Sequence, residues 1–191
     1  MKSYFRNSML FLAMIGMVVL VNAGQAEHLV SKNRVNIQAR HCQNFPNTIA
    51  GKIACAGDPS TLFYDHTDHN LRTTVGGDWQ ASVMGNTSAP PATCNYIAVS
   101  NDAGAPAVGD TTLAGEIVSN GLQRQIGTYA HVPSTASYTI TKLFSATGNQ
   151  SSQKTALFNA SSSGTMCFEN TYSGVSVTNG DTLTVTWTVN Y

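Results

Sequence analysis

The chain ends on Thr182-Leu183-Thr184-Val185-Thr186-Trp187-Thr188-Val189-Asn190-Tyr191. Large side chains hold every second position, and threonines fill the positions between. A strand turns successive side chains to opposite faces, so Leu183, Val185, Trp187, Val189 and Tyr191 share one face and Thr182, Thr184, Thr186 and Thr188 the other. One face belongs in a core and the other in water, the signature of an antiparallel sheet packed on one side. Asn179-Gly180-Asp181 supplies the tight turn before it.

Working outward, short apolar runs recur between turn signals, the pattern of a sandwich or barrel. Asn95–Ser100 reads as a strand, Asn101–Thr112 as a Gly/Pro/Asp loop, and Leu113–Val118 as a strand or one helical turn. Leu122–Val132 alternates, with Gly127 at a bulge. Tyr138–Phe144, Lys154–Asn159, Thr165–Asn170 and Val175–Val177 follow as strands. The expected fold is all-β, an antiparallel β-sandwich of jelly-roll or Ig-like type over residues 94–191.

Composition agrees. Charged residues make up 10% of the 191 residues, against roughly 25% in an average soluble protein. Threonine alone occurs 22 times, and it suits pleated surfaces and turns. The formal net charge is zero, so nucleic-acid binding has no electrostatic footprint. A weakly charged surface is also poorly protected against self-association, which suits a homo-oligomer.

Upstream, Lys2 and Arg6 precede an apolar run from Met9 to Leu20 and small residues through Ala26. This predicts a signal peptide or hydrophobic anchor at 1–26, too short to span a bilayer comfortably. Any membrane contact is expected through this segment alone. Cys42, Cys55, Cys94 and Cys167 fit an oxidising compartment and hence an exported protein. Three pairings are open; Cys42–Cys55 with Cys94–Cys167 is favoured. Residues 27–57 read as an extended arm, with Val35 and Ile37 alternating as a short strand. The rival reading is a flexible linker. Residues 58–85 read as a β-meander: Leu62–Tyr64 a strand, Asp65–Asn70 a turn, Leu71–Val75 the return and Gly76-Gly77-Asp78 a second turn. Residues 86–93, with Pro90-Pro91, read as a stiff linker at a domain boundary.

Two stretches resemble phage virion proteins. Leu62-Phe63-Tyr64-Asp65, Thr67-Asp68, Leu71, Gly77 and Trp79 resemble a short unit of tail fibres. Asn95–Ser100, Leu113–Glu116, Gly121–Arg124, Leu157–Ala160, Gly164–Met166, Phe168-Glu169 and Asn179–Trp187 resemble, in order, a tail-fibre or decoration-type module. The resemblance implies a structural role in a virion and carries no catalytic residues.

Asp65-His66-Thr67-Asp68-His69 is the densest cluster of ligand-type side chains. Asp65, His66, Asp68 and His69 are candidate ligands for zinc or another divalent metal. The bland alternative is a polar turn. No other cofactor is expected. Catalysis is not expected either. The sandwich half has one histidine, His131, and no Gly-x-Ser-x-Gly elbow. Its carboxylates are Asp102, Asp110, Glu116, Glu169 and Asp181; Asp102, Asp110 and Asp181 fall in turns, and nothing in the sequence pairs Glu116 with Glu169 for glycosidase chemistry. Asn86, Asn149 and Asn159 begin glycan-acceptor triplets.

The sequence therefore predicts a non-enzymatic structural, assembly or attachment protein, exported or in a virion, with the cell surface as a further location. A phage fibre or decoration component comes first. The alternatives are a cell-surface filament subunit assembling by strand addition through the arm, and a secreted carbohydrate-binding module stacking sugars on Tyr129, Tyr138 or Tyr172. Partners are further copies of the chain, a neighbouring structural protein or a host surface glycan. Loops Asn101–Thr111 and Gly148–Ser152 are the expected contact regions.

Overall fold

The structure, a computed structural model, describes residues 33–86 and 88–190. The leader at 1–26, the first residues of the arm, Thr87 and Tyr191 lie outside the described residues. Two antiparallel five-stranded sheets pack face to face. The strands are β1 (Arg34–Arg40), β2 (Leu62–His69), β3 (Leu71–Arg72), β4 (Tyr96–Ser100), β5 (Gln125–Ile126), β6 (Thr128–His131), β7 (Ser137–Ser145), β8 (Gln150–Phe158), β9 (Met166–Val177) and β10 (Thr182–Asn190). One sheet runs β2-β1-β10-β7-β6, the other β3-β9-β8-β4-β5. Helix α1 (Ile49–Gly57) lies between β1 and β2, and α2 (Thr74–Gly85) between β3 and β4.

The terminal strand is as its alternation predicts. Leu183, Val185, Trp187 and Val189 are buried, while Thr184, Thr186 and Thr188 are half-buried on the other face. Across the interior they meet Ile97, Val99, Leu157, Phe168 and Val175 of the second sheet. Trp187 is fully buried, with its ring centroid 6.2 Å from that of Phe168. Each such side chain contributes about 2–3 kcal/mol by leaving water.

Three expectations about the first half need correction. The arm is not extended away from the domain. β1 pairs with β10 on one side and β2 on the other, and Val35, Ile37 and Ala39 are fully buried. Those apolar positions are too few to signal a central strand in a polar context, but β10 supplies the matching face. The meander is not one either. β2 runs through His69, and β3 is short and pairs with β9 in the other sheet. Gly76-Gly77-Asp78 opens α2, where the Thr73 side chain caps the helix by accepting from the Gly76 amide at 3.0 Å. Gly76 is required by close approach, because a Cβ there would sit 2.1 Å from the Cys167 carbonyl oxygen. Finally, residues 86–93 do not separate domains. The Trp79 indole donates to the Ala92 carbonyl at 2.7 Å, folding this segment back on α2, and strands from both sides of it share the two sheets.

Leu122–Val132 is two strands, not one. β5 pairs with β4 in one sheet, and β6 with β7 in the other. Gly127 is the crossing point, where an added Cβ would fall 2.5 Å from Ile140. Leu113–Val118 forms neither strand nor helix; it contributes one isolated bridge, Ser100 to Glu116. Thr165–Asn170 and Val175–Val177 are a single strand, β9.

Both favoured disulfides are formed. Cys42–Cys55 ties the end of β1 to α1, and Cys94–Cys167 ties the approach to β4 to β9. Such bonds fit an oxidising environment. No helix among the described residues is long and apolar enough to cross a membrane.

Candidate functional site

The five carboxylates singled out in the sequence separate by partner. Glu116 receives two bonds from Arg124, Nε to Oε1 at 2.9 Å and Nη2 to Oε2 at 2.6 Å. The guanidinium lies 3.5 Å over the Phe158 ring, a packed and structural arrangement. Asp181 bends the β9–β10 turn, accepting from the Thr178 amide and hydroxyl at 2.8 Å. Asp102 and Glu169 converge on a group that the sequence reading missed, Lys154, and Asp110 lies beside Glu169.

Strand register builds this cluster. Lys154 of β8 lies opposite Ser100 of β4 and Thr171 of β9. Its side chain leaves the sheet on the face away from the core. Glu169 sits two residues along β9, diagonal to Lys154 on the same face. Ala156 and Ala98, next in the row, leave room above the sheet. The loop after β4 closes over that room. Asp102 follows Ser100 closely, and its amide donates to the Ser100 hydroxyl at 2.9 Å. The Thr171 hydroxyl holds the Gly104 carbonyl at 3.0 Å, and the Gln153 amide group holds the Asn101 carbonyl at 3.1 Å.

Lys154 Nζ is then 2.6 Å from Asp102 Oδ2 and 3.4 Å from Glu169 Oε1. Lys154 is 3% exposed and Glu169 1%. Burial pushes the Glu169 carboxyl up to about 7, the Asp110 carboxyl beside it adds to the rise, and Lys154 opposes it. The hydrogen bond from Lys154 holds Asp102 below the usual carboxylate range. Burial alone would lower Lys154, but Asp102 and Glu169 outweigh it and leave the ammonium above its ordinary value. No N–H or O–H donor reaches the buried Glu169 Oε2, and its carboxyl instead faces that of Asp110, with which it shares a hydrogen bond when one of the two is protonated.

The proposed metal ligands are not gathered. Asp65 through His69 lie on strand β2, not in a turn. Alternation puts Asp65 and His69 on one face and His66 and Asp68 on the other. Asp65 instead accepts from Asn36 at 2.8 Å and Gln38 at 3.2 Å on β1. His66 and Asp68 approach only to 3.8 Å. Among the described residues no three His, Cys, Asp or Glu side chains are grouped to hold a metal. The cluster read as a turn because its residues are turn formers; an edge strand tolerates them because its outer positions are wet.

The sugar-stacking candidates also divide. Tyr172 is buried, with its hydroxyl against that of Ser152, and burial raises its pKa. Tyr129 is 60% exposed and Tyr138 half-buried, with ring centroids 5.6 Å apart. His131 ends β6 and is exposed, its Nδ1 2.8 Å from the Ser137 carbonyl. Most of the Asn101–Thr111 loop is exposed, with Asp102, Pro106 and Asp110 half-buried, whereas Ser152, at the end of the other proposed contact loop, is buried.

Beside the Tyr129–Tyr138 pair is an apolar groove of about 450 Å³ lined by Trp79, Val83, Tyr129, Tyr138 and Ile140. A second groove of about 330 Å³ shares Trp79, Val83 and Tyr138 and extends to Met84 and Val189. Among the described residues, no charged one lines either groove. β6 is the sheet edge next to them, and all its residues are exposed. Against known proteins, the chain matches no protein-family model and no curated protein.

Proposed function

We propose that the chain is a non-enzymatic structural or attachment protein that works as a homo-oligomer, a phage fibre or decoration component. The observation that carries the assembly reading is the edge strand β6 beside two uncharged apolar grooves. An edge strand presents unpaired backbone groups to a further strand, and native proteins usually blunt such edges with charge or proline. β6, Thr128–His131, carries neither Lys nor Arg nor Pro, and Ile126, Tyr129 and Val132 around it are exposed. With zero net charge, a second copy of the chain meets little long-range repulsion. The likeness of the sequence to fibre modules supports a virion setting.

A second reading, an exported cell-surface filament subunit, is favoured by the two disulfides and the leader-like start. Strand addition would then use the β6 edge, since β1 is already paired on both sides. Negative-stain electron microscopy of the purified full chain tests the shared claim. Rings or fibres of repeating subunits are expected. A field of separate 20.3 kDa particles at high protein concentration would count against both readings.

A further inference from the structure

We propose that Lys154 and Asp102 condense to an intramolecular amide, an isopeptide bond between Nζ and the side-chain carboxyl carbon, with Glu169 carrying the proton. The proposal is independent of the assembly reading and assigns a chemical step to the cluster beneath the 101–112 loop.

Geometry comes first. Nζ touches Asp102 Oδ2 at 2.6 Å, so the carboxyl carbon is the next atom along. Both groups are held together before reaction, so no encounter has to be arranged. β-sheet register fixes Lys154 from both flanking strands. The loop bonds from Ser100, Thr171 and Gln153 fix the backbone around Asp102. Lysine is seldom this buried, and a buried ion pair bears a large desolvation cost. Condensation removes both charges and leaves a neutral amide in their place.

Glu169 is the third part. Its Oε1 lies 3.4 Å from the amine, and the Asp110 carboxyl beside it hydrogen-bonds to Glu169 when one of the two carries a proton. A carboxyl that titrates near neutrality is suited to taking and returning a proton.

The step balances. The ammonium first passes one proton to the Asp102 carboxylate across their hydrogen bond, an uphill transfer because the ion pair holds Asp102 below and Lys154 above their ordinary values, giving an amine and a carboxylic acid. The amine lone pair forms the Nζ–C bond, and the carbonyl π pair moves to its oxygen. Ionised Glu169 takes one proton from the new N–H₂⁺ and delivers it to the hydroxyl on the same carbon. The C–OH bond breaks, the carbonyl re-forms, and water leaves. Glu169 returns to its starting state, and no oxidant or co-reactant is consumed. The Asp102 side chain is 35% exposed, which gives the water an exit.

Mass spectrometry of the intact, fully reduced full-length protein tests this, with its first residue defined by N-terminal sequencing. The expected mass is lower than that of the sequence by one water, and digestion should yield one branched peptide joining the Lys154 and Asp102 segments. Lys154→Arg and Glu169→Gln should both show the full mass while keeping both disulfides under non-reducing conditions. Asp102→Asn should reach the same final mass as the wild type, because ammonia leaves in place of water. Full mass in the folded wild type overturns the proposal. So does a water loss that persists in Lys154→Arg. A bond formed equally well in Glu169→Gln removes Glu169 from the step.

Discussion

β10 and β8 are both nine-residue strands near the middle of their sheets, yet they are buried differently. β10 alternates buried with half-buried residues from Leu183 to Asn190, because one face of its sheet carries threonines toward solvent. β8 is continuously buried from Lys154 to Phe158. Its inner face meets β10's sheet in the main core. Its outer face is covered by residues of the long loop after β4, with Leu113 packed among Ala98, Ala156, Phe158 and Met166. A sheet with one wet face needs only a core on one side. A sheet covered on both must place something on the second side, and here that includes charge. Buried charge requires partners, which is why Lys154, Asp102 and Glu169 meet there and not on β10.

The comparison can be broken first where burial is deepest. Trp187→Ala should cost about 3–5 kcal/mol in urea unfolding, since it empties the space between the sheets. A loss under 1 kcal/mol would mean the inner face is not packed as described.

The covalent ties come next. Cys94–Cys167 spans 73 residues and Cys42–Cys55 spans 13. Loop-closure entropy assigns about 4 kcal/mol to the first and about 3 kcal/mol to the second. The Cys94→Ala/Cys167→Ala variant should therefore melt below Cys42→Ala/Cys55→Ala. The reverse order would place the weaker constraint in the second sheet.

The buried cluster predicts a pH effect that β10's sheet lacks. Glu169 is raised from its ordinary 4.5 to about 7. Between those values the folded state holds a proton that the unfolded state releases. Its contribution is thus present below pH 4.5 and lost as pH rises through 7. Wild-type stability should fall by about 3 kcal/mol across that window relative to Glu169→Gln. Parallel profiles for the two proteins would remove Glu169 as the titrating group.

The smallest effect belongs to the wet face. Thr186→Ala should change stability by no more than about 0.5 kcal/mol, although Thr186 accepts a 3.1 Å bond from Thr141.

The same contrast explains what could be read in the sequence. β10 was legible because a one-sided strand writes its period into the chain. β8 reads as a short apolar run headed by a lysine, and Lys154 looks like a surface charge until Asp102 and Glu169 are brought to it across 52 and 15 positions. That convergence depends on register, which no local pattern encodes. β1 was underread for a related reason. Val35, Ile37 and Ala39 form a thin stripe, and only pairing with β10 makes it central. Thr73 before Gly76-Gly77 was a readable helix cap, outweighed by the turn signal of the glycines. The disulfide pairing was only partly legible: spacing favoured a local Cys42–Cys55 loop but left three pairings open, and the fold selects among them.

Assembly through the β6 edge is the central functional claim, and sedimentation velocity of the full chain tests it most directly. The wild type should sediment as an oligomer that grows with concentration, and Tyr129→Lys/Val132→Lys, which places charge on that edge, should sediment as a folded monomer. A wild type that stays monomeric at every concentration, or a charged variant that assembles unchanged, would contradict the account.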